Sequence, residues 1–242
     1  MKQIWVITKK ELKCYFDSLQ AYIIIFLFLG FTGFFTWLYG ADIFYRKEAS
    51  LDVFFNISFW TLFVFIPLIT MRSIAEENNL GTLEIVLTKP INEWQLVTGK
   101  FIAVFLLVCI TLAMTLPYYI TVWSIGPIDH GAVWCGYFAL LLMSAAYSSI
   151  GIFASSLTKN QIVAALITFF ILVFFHIISG ILSTNMKGFF GEMLNYLSTR
   201  THFDALIRGV IDTKNIIYFL SITFLGLLLS EIMIAKRNIS EN

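Results

Sequence analysis

MRSIAEENNLGTLEIVLTKPINEWQLVTGK, residues 71–100, is a polar passage set between two long apolar runs. Its reading decides the fold, because it separates two candidate spans and offers a soluble partner a grip. Ile74, Leu80, Leu83 and Leu87 recur at roughly helical spacing, while Glu76, Glu77, Asn78, Asn79 and Glu84 are polar. The spacing predicts a short amphipathic helix over about 75–87, weakened by Gly81 and stopped by Pro90. Asn92, with Gln95 three residues on, then starts a second helix that runs into the next apolar run. The product is a helix–turn–helix elbow held against a membrane.

Working outward, six apolar stretches are long enough to span. They lie between Asp17 and Asp42, between Asp52 and Arg72, from Phe101 to about Ile125, from about Ala132 to Leu157, from Gln161 to Leu182, and from Ile216 to about Ala235. The chain is 59% hydrophobic and 13% charged, whereas soluble domains are about a quarter charged. The stretches do not alternate as barrel strands do, so the fold class is an all-α integral membrane protein with six transmembrane helices. One membrane domain is expected over 1–242. It comprises an interfacial helix at 1–17, the polar elbow at 72–100 and short outer re-entrant or surface helices at 187–214, before the sixth span.

The first residues carry Lys2, Lys9, Lys10 and Lys13 around Ile4, Trp5, Leu12, Tyr15 and Phe16, the pattern of a helix lying on an anionic leaflet. No small-residue cleavage site follows, so this is not read as a signal peptide. Lys89, Lys100, Lys159, Lys236 and Arg237 fall on the same side as those N-terminal lysines. The positive-inside rule makes that side cytoplasmic, with both termini on it. Arg46, Lys47, Lys187, Arg200, Arg208 and Lys214 occupy the opposite face. The net charge of +1 gives no reason to expect nucleic acid. Cys14, Cys109 and Cys135 are scattered, and read as plain thiols rather than metal ligands.

Within the spans, Pro67 and Pro117 predict kinks. Ser144, Ala145, Ser148, Ser149, Gly151 and Ser155 give the fourth span small faces that let helices approach, and Gly30 and Gly33 do so in the first. The bulky Phe169, Phe170, Phe174 and Phe175 of the fifth span suit lipid or another subunit. His176 is the intramembrane polar candidate, read chiefly as an imidazole hydrogen-bonded to a neighbouring helix. On the outer segment, His202, Asp204, Arg208 and Asp212 are candidates for a gate or a partner contact. Asp204–Arg208 and Arg208–Asp212 are expected as i, i+4 pairs.

PLITMRSIAEENNLGTLEIVLTKPINEWQLVTGKFIA resembles the signature of ABC-2 type ABC transporter permeases, especially their gliding-motility-associated branch. KKELKCYFDSLQAYI resembles the family's entry segment, with Leu19 where a proline is common, and THFDALIRGVID followed by YFLS resembles the stretch before the last span. The resemblance implies a dimerising subunit (a homodimer or a heterodimer) of an exporter in a bacterial inner membrane. It implies ABC ATPase subunits as partners, which bind ATP and Mg. It assigns the coupling segment to Glu76, Glu77, Gly81, Thr82, Leu83 and Glu84, with Arg72 at the exit of the second span.

The chain itself reads as no enzyme and binds no cofactor. A phosphate-binding loop needs a glycine where Trp94 stands and Ser or Thr where Phe101 stands. Glu76-Glu77 invites comparison with the E-E-x-x-x-R motif of intramembrane proteases, but Gly81 occupies the arginine position. A passive channel would not need the elbow, and no ring-forming charges for ion selection lie in the spans. A further reading has ATPase motion transmitted mechanically to an outer partner through 187–214, without solute transport.

Overall fold

The computed structural model describes residues 2–38, 50–82, 91–186 and 188–240, and among them every regular element is a helix. Six stretches are long and apolar enough to cross a membrane: Gln20–Trp37, Asp52–Leu80, Glu93–Ile125, His130–Leu157, Gln161–Asn185 and Thr213–Lys236. The expected all-α architecture of six spans is therefore present.

The amphipathic helix α1 (Lys2–Asp17) precedes the first span, α2 (Gln20–Trp37). Leu19 separates them by taking a left-handed backbone, φ +58°. That residue makes α1 a distinct element and not an extension of α2. The face that α1 turns to the bundle overlaps the expected one: Tyr15 is buried and Leu12 and Phe16 are half-buried against the core, but Ile7 and Thr8 join it and Trp5 is exposed beside Lys9 and Lys13. The reason is a close approach of α1 to α5 (Glu93–Ala113), where a Cβ on Gly99 would lie 2.8 Å from the Ile7 Cβ.

The second span is α3 (Asp52–Thr70), followed by the short elbow helix α4 (Ala75–Leu80). The elbow helix expected to run on to Leu87 breaks at Gly81, which adopts φ +68°, and Thr82 is again helical. Residues 83–90, including Leu83 and Glu84, lie outside the described residues. Gln95 reaches back as expected, its Oε1 accepting from the Asn92 N–H at 3.4 Å. The third span continues from α5 into α6 (Leu116–Ile125), restarting with Pro117 in its first turn, where a missing N–H costs nothing.

The fourth span, α7 (His130–Leu157), is the axis of the bundle and the most buried of the six. A Cβ at Gly151 would run into Thr70, and Gly226 of the last helix, α12 (Thr213–Ser240), sits against Ser149. The small faces therefore set helix–helix distance as expected. Gly33 does so too, because the Tyr118 hydroxyl occupies the place of its Cβ, but Gly30 faces open space.

The fifth span runs from α8 (Gln161–Val173) through a single π-helical turn, Phe174–Ile178, into α9 (Ser179–Asn185). Two short helices, α10 (Phe189–Leu197) and α11 (Thr199–Ile207), then lead to α12.

Candidate functional site

The elbow is built at the junction of α1, α4 and α5 with the C-terminal end of α7. The first N–H groups of a helix have no partner within it, and α4 solves this with a residue from another span. Ser155 on α7 accepts from the Ile74 and Ala75 N–H groups at 3.0 and 2.9 Å, and its hydroxyl donates to the Met71 carbonyl at 3.1 Å. A serine that reads in sequence as helix packing thus hangs the elbow from the central helix.

A second attachment is electrostatic. The Lys100 ammonium is almost fully enclosed, with its side chain 1% exposed. It donates to the Ser73 carbonyl at 2.6 Å and lies 2.9 Å from the Glu77 Oε1 and 3.3 Å from the Glu11 Oε1. Lys10 reaches the same two oxygens from the exposed side, at 3.5 and 3.2 Å. Burial lowers the Lys10 ammonium, but Glu11 and Glu77 outweigh it and hold the group above its usual range.

A third set of contacts binds α1. The Thr8 hydroxyl donates to the Gly99 carbonyl at 3.0 Å, and the Tyr15 hydroxyl to the Ile69 carbonyl at 3.3 Å. Burial pushes the Tyr15 phenol well up, so it is a neutral donor in this position. The elements enclose a cavity of about 430 Å³ bounded by Tyr15, Arg72, Glu76, Leu80 and Lys100.

The expected coupling residues therefore divide. Glu77 turns inward, with Oε1 in the ion-pair cluster and Oε2 buried without a partner among the described residues. Arg72 and Gly81 are exposed, and Glu76 and Thr82 are half-buried. The Thr82 hydroxyl donates to the Glu77 carbonyl at 3.4 Å. Sequence reasoning missed Glu11, Ser73, Lys100 and Ser155. The one available signal was a lysine placed deep enough in the start of an apolar helix to require an acid nearby.

His176 lies in the π turn. Its Nδ1 is 2.7 Å from the Tyr147 hydroxyl of α7, and its ring stacks against Phe59 and Phe63 of α3 at centroid distances of 4.0 and 4.4 Å. It joins three spans, as a hydrogen-bonded core imidazole would.

The opposite end of the bundle corrects the expected pairs. Asp204 binds Arg200 at 3.0 Å instead of Arg208, and Asp212 binds Lys214 at 2.9 Å. The reason is that α11 ends at Ile207 and Gly209 takes φ +80°, so Arg208 and Asp212 leave the helical register that i, i+4 pairing needs. Hydrogen bonding from Lys214 holds the Asp212 carboxyl below its usual range. His202 is buried between Asn215 and the Tyr196 carbonyl, at 2.7 and 2.9 Å, and is a structural link in this fold.

Residues 5–235 match the family described as ABC-2 family transporter protein. The chain is also similar to "Probable multidrug ABC transporter permease YbhR" of Escherichia coli strain K12, at 26% identity over 147 residues. The protein of that name in Escherichia coli O157:H7 matches to the same extent. The matched region is 60% of this chain and 39% of the length of those relatives.

Proposed function

Because the chain belongs to the ABC-2 family of transporter proteins, we propose that it is the permease subunit of an ATP-driven exporter whose ATPase subunits push on residues 75–95. Within the family, the signature at 71–100 favours the gliding-motility-associated branch. The elbow and both termini face the cytoplasm of a bacterium, ATP and Mg reside on the ATPases, and a second permease subunit completes the membrane pathway. The relatives' name supports a multidrug-type transport role, which for this chain is part of the proposal.

The observation that carries the reading is the fastening of α4. Ser155 ties it to the fourth span, Lys100 ties it to the third, and Glu11 and Lys10 tie it to α1. A short element held at so many points moves only with those helices. A push on its tip is then a push on the bundle, and closure of an ATPase pair would favour one arrangement over another through its differential contact with each. Arg72, Glu76, Gly81, Thr82, Leu83 and Glu84 form the contact surface, while Glu77 positions it from within.

Co-purification of the tagged chain with a P-loop ATPase tests this. Leu83→Asp and Glu84→Arg are expected to abolish it, and unchanged co-purification of both variants would overturn the assignment. A second reading is mechanical transmission to an outer partner without solute transport, favoured by the packing of α11 directly on the central helix α7. Transport or flipping by the purified complex in sealed vesicles separates the two.

A further inference from the structure

The fifth span changes its hydrogen-bonding step partway along. At the π turn, Phe174–Ile178, the Ser179 N–H reaches the Phe174 carbonyl, five residues back. An α-helix would give that N–H to the Phe175 carbonyl, four residues back. The Ser179 hydroxyl takes up the Phe175 carbonyl instead, donating to it at 3.0 Å. In a bilayer a carbonyl that loses its partner finds no water, and a serine side chain is one of the groups able to replace it. Ser179 is fully buried, so the bond is shielded.

The middle of the turn is also held. His176 is bonded to Tyr147 of α7 at 2.7 Å and stacked on Phe59 and Phe63 of α3. On either side of it the span has different neighbours. Before the turn, α8 buries Ala164, Thr168 and Leu172 and packs on α7 and α3. After it, Ser179 is the last fully buried residue of the span, and α9 packs chiefly on α10. A Cβ at Gly191 of α10 would run into the Met186 carbonyl, so those two helices are closely joined. One half of the span therefore belongs to the bundle and the other to α10.

We infer that the π turn is a hinge in the fifth span, at which α9 and α10 turn as one body against α8. Gln161–Asn185 contains no proline, so the turn is the break in this helix. π turns recur at functional sites, and this one stands at the boundary between two sets of partners. Ser179 and Tyr147 are positioning residues. Ser179 keeps the displaced carbonyl satisfied, and Tyr147 anchors His176 at the pivot. The hinge needs only this chain. It requires neither a partner ATPase nor a direction of transport.

Amide hydrogen exchange of the full chain in lipid nanodiscs tests it. Residues 164–171 and 175–182 lie equally far from their own ends of the span, Gln161 and Asn185, so depth favours neither. In wild type, 175–182 should exchange roughly tenfold faster than 164–171. Ser179→Ala and Tyr147→Phe should each speed 175–182 several-fold further and leave 164–171 as it is. Deleting Ile178 removes the extra residue of the π turn and should bring 175–182 down to the rate of 164–171.

A disulfide supplies the lock. A Cβ at Gly180 would lie 3.2 Å from the Ser198 Oγ, so Gly180→Cys with Ser198→Cys brings two thiols within bonding reach. Ser198 precedes α11, which packs on α7, so the bond ties α9 to the bundle. Closing it should slow 175–182, and reducing it should restore the faster rate. Equal exchange on both sides of the turn in wild type would overturn the hinge. So would substitutions that speed 164–171 as much as 175–182, because that is general loosening. A closed disulfide that leaves 175–182 as fast as before would overturn it too, because the turn would then be a local weak point only. If the deletion variant does not fold, the wild-type profile and the disulfide still decide.

Discussion

Lys100 places a charge where water hardly reaches, and two carboxylates with one carbonyl replace its hydration. Removing one partner of a buried ion pair costs about 3–5 kcal/mol, because the other charge is stranded. Lys100→Met should therefore lower the thermal unfolding midpoint of the detergent-purified protein sharply. Adding Glu77→Gln to it should recover part of the loss, as a double-mutant cycle would read. Lys10 touches the same acids, but its side chain is 63% exposed. Its removal should cost less than about 1 kcal/mol. Because the folded-state Lys10 ammonium sits above its ordinary range, its contribution is full below the usual lysine value and fades as pH rises through the higher folded one. Ser155→Ala removes one acceptor and one donor from the root of the elbow. Faster amide hydrogen exchange over 74–80, with the remaining spans unchanged, is the expected result.

Two elements depend on backbone shape. Leu19 holds a left-handed conformation that an L side chain adopts at a cost of about 1–2 kcal/mol, and its side chain is largely exposed. Leu19→Gly should thus raise stability by roughly 0.5–1 kcal/mol. Leu19→Pro should lower it, because the ring locks φ near the opposite sign and would swing α1 off α5. Among the span glycines, Gly151 marks the closest seam, between α3 and α7. Gly151→Ala should cost about 1–3 kcal/mol by overpacking, whereas Gly30→Ala, in open space, should be neutral. Thermal unfolding of the two variants side by side checks both.

For the molecule as a whole, α7 is the helix that links the elbow to the other end of the bundle. Ser155 of α7 holds the elbow, Tyr147 of α7 holds the His176 of the fifth span, and α11 packs against its far half. With an even number of spans, reporter fusions should agree at the two ends. Fluorescent-protein fusions at both termini should glow, and alkaline phosphatase should be active only when inserted near 187 or 212. Activity at either terminus would invert the topology.

Run lengths determined the class of this protein from sequence alone. A bilayer admits only stretches of fixed length with no unmet backbone groups, so six apolar runs leave one architecture. Gly81 likewise marked where the elbow helix breaks, since backbone freedom is local. The partners of Glu77, Lys100 and Ser155 were not legible. Lys100 and Glu11 stand 89 positions apart, and Ser155 and Ala75 stand 80 apart. The exposed pairs of the outer segment stayed local, Asp204 with Arg200 four residues before it and Asp212 with Lys214, although the expected partner was Arg208 for both. Only the tertiary packing decides which charges meet, because in a low-dielectric interior a charge takes whichever partner the fold brings within reach.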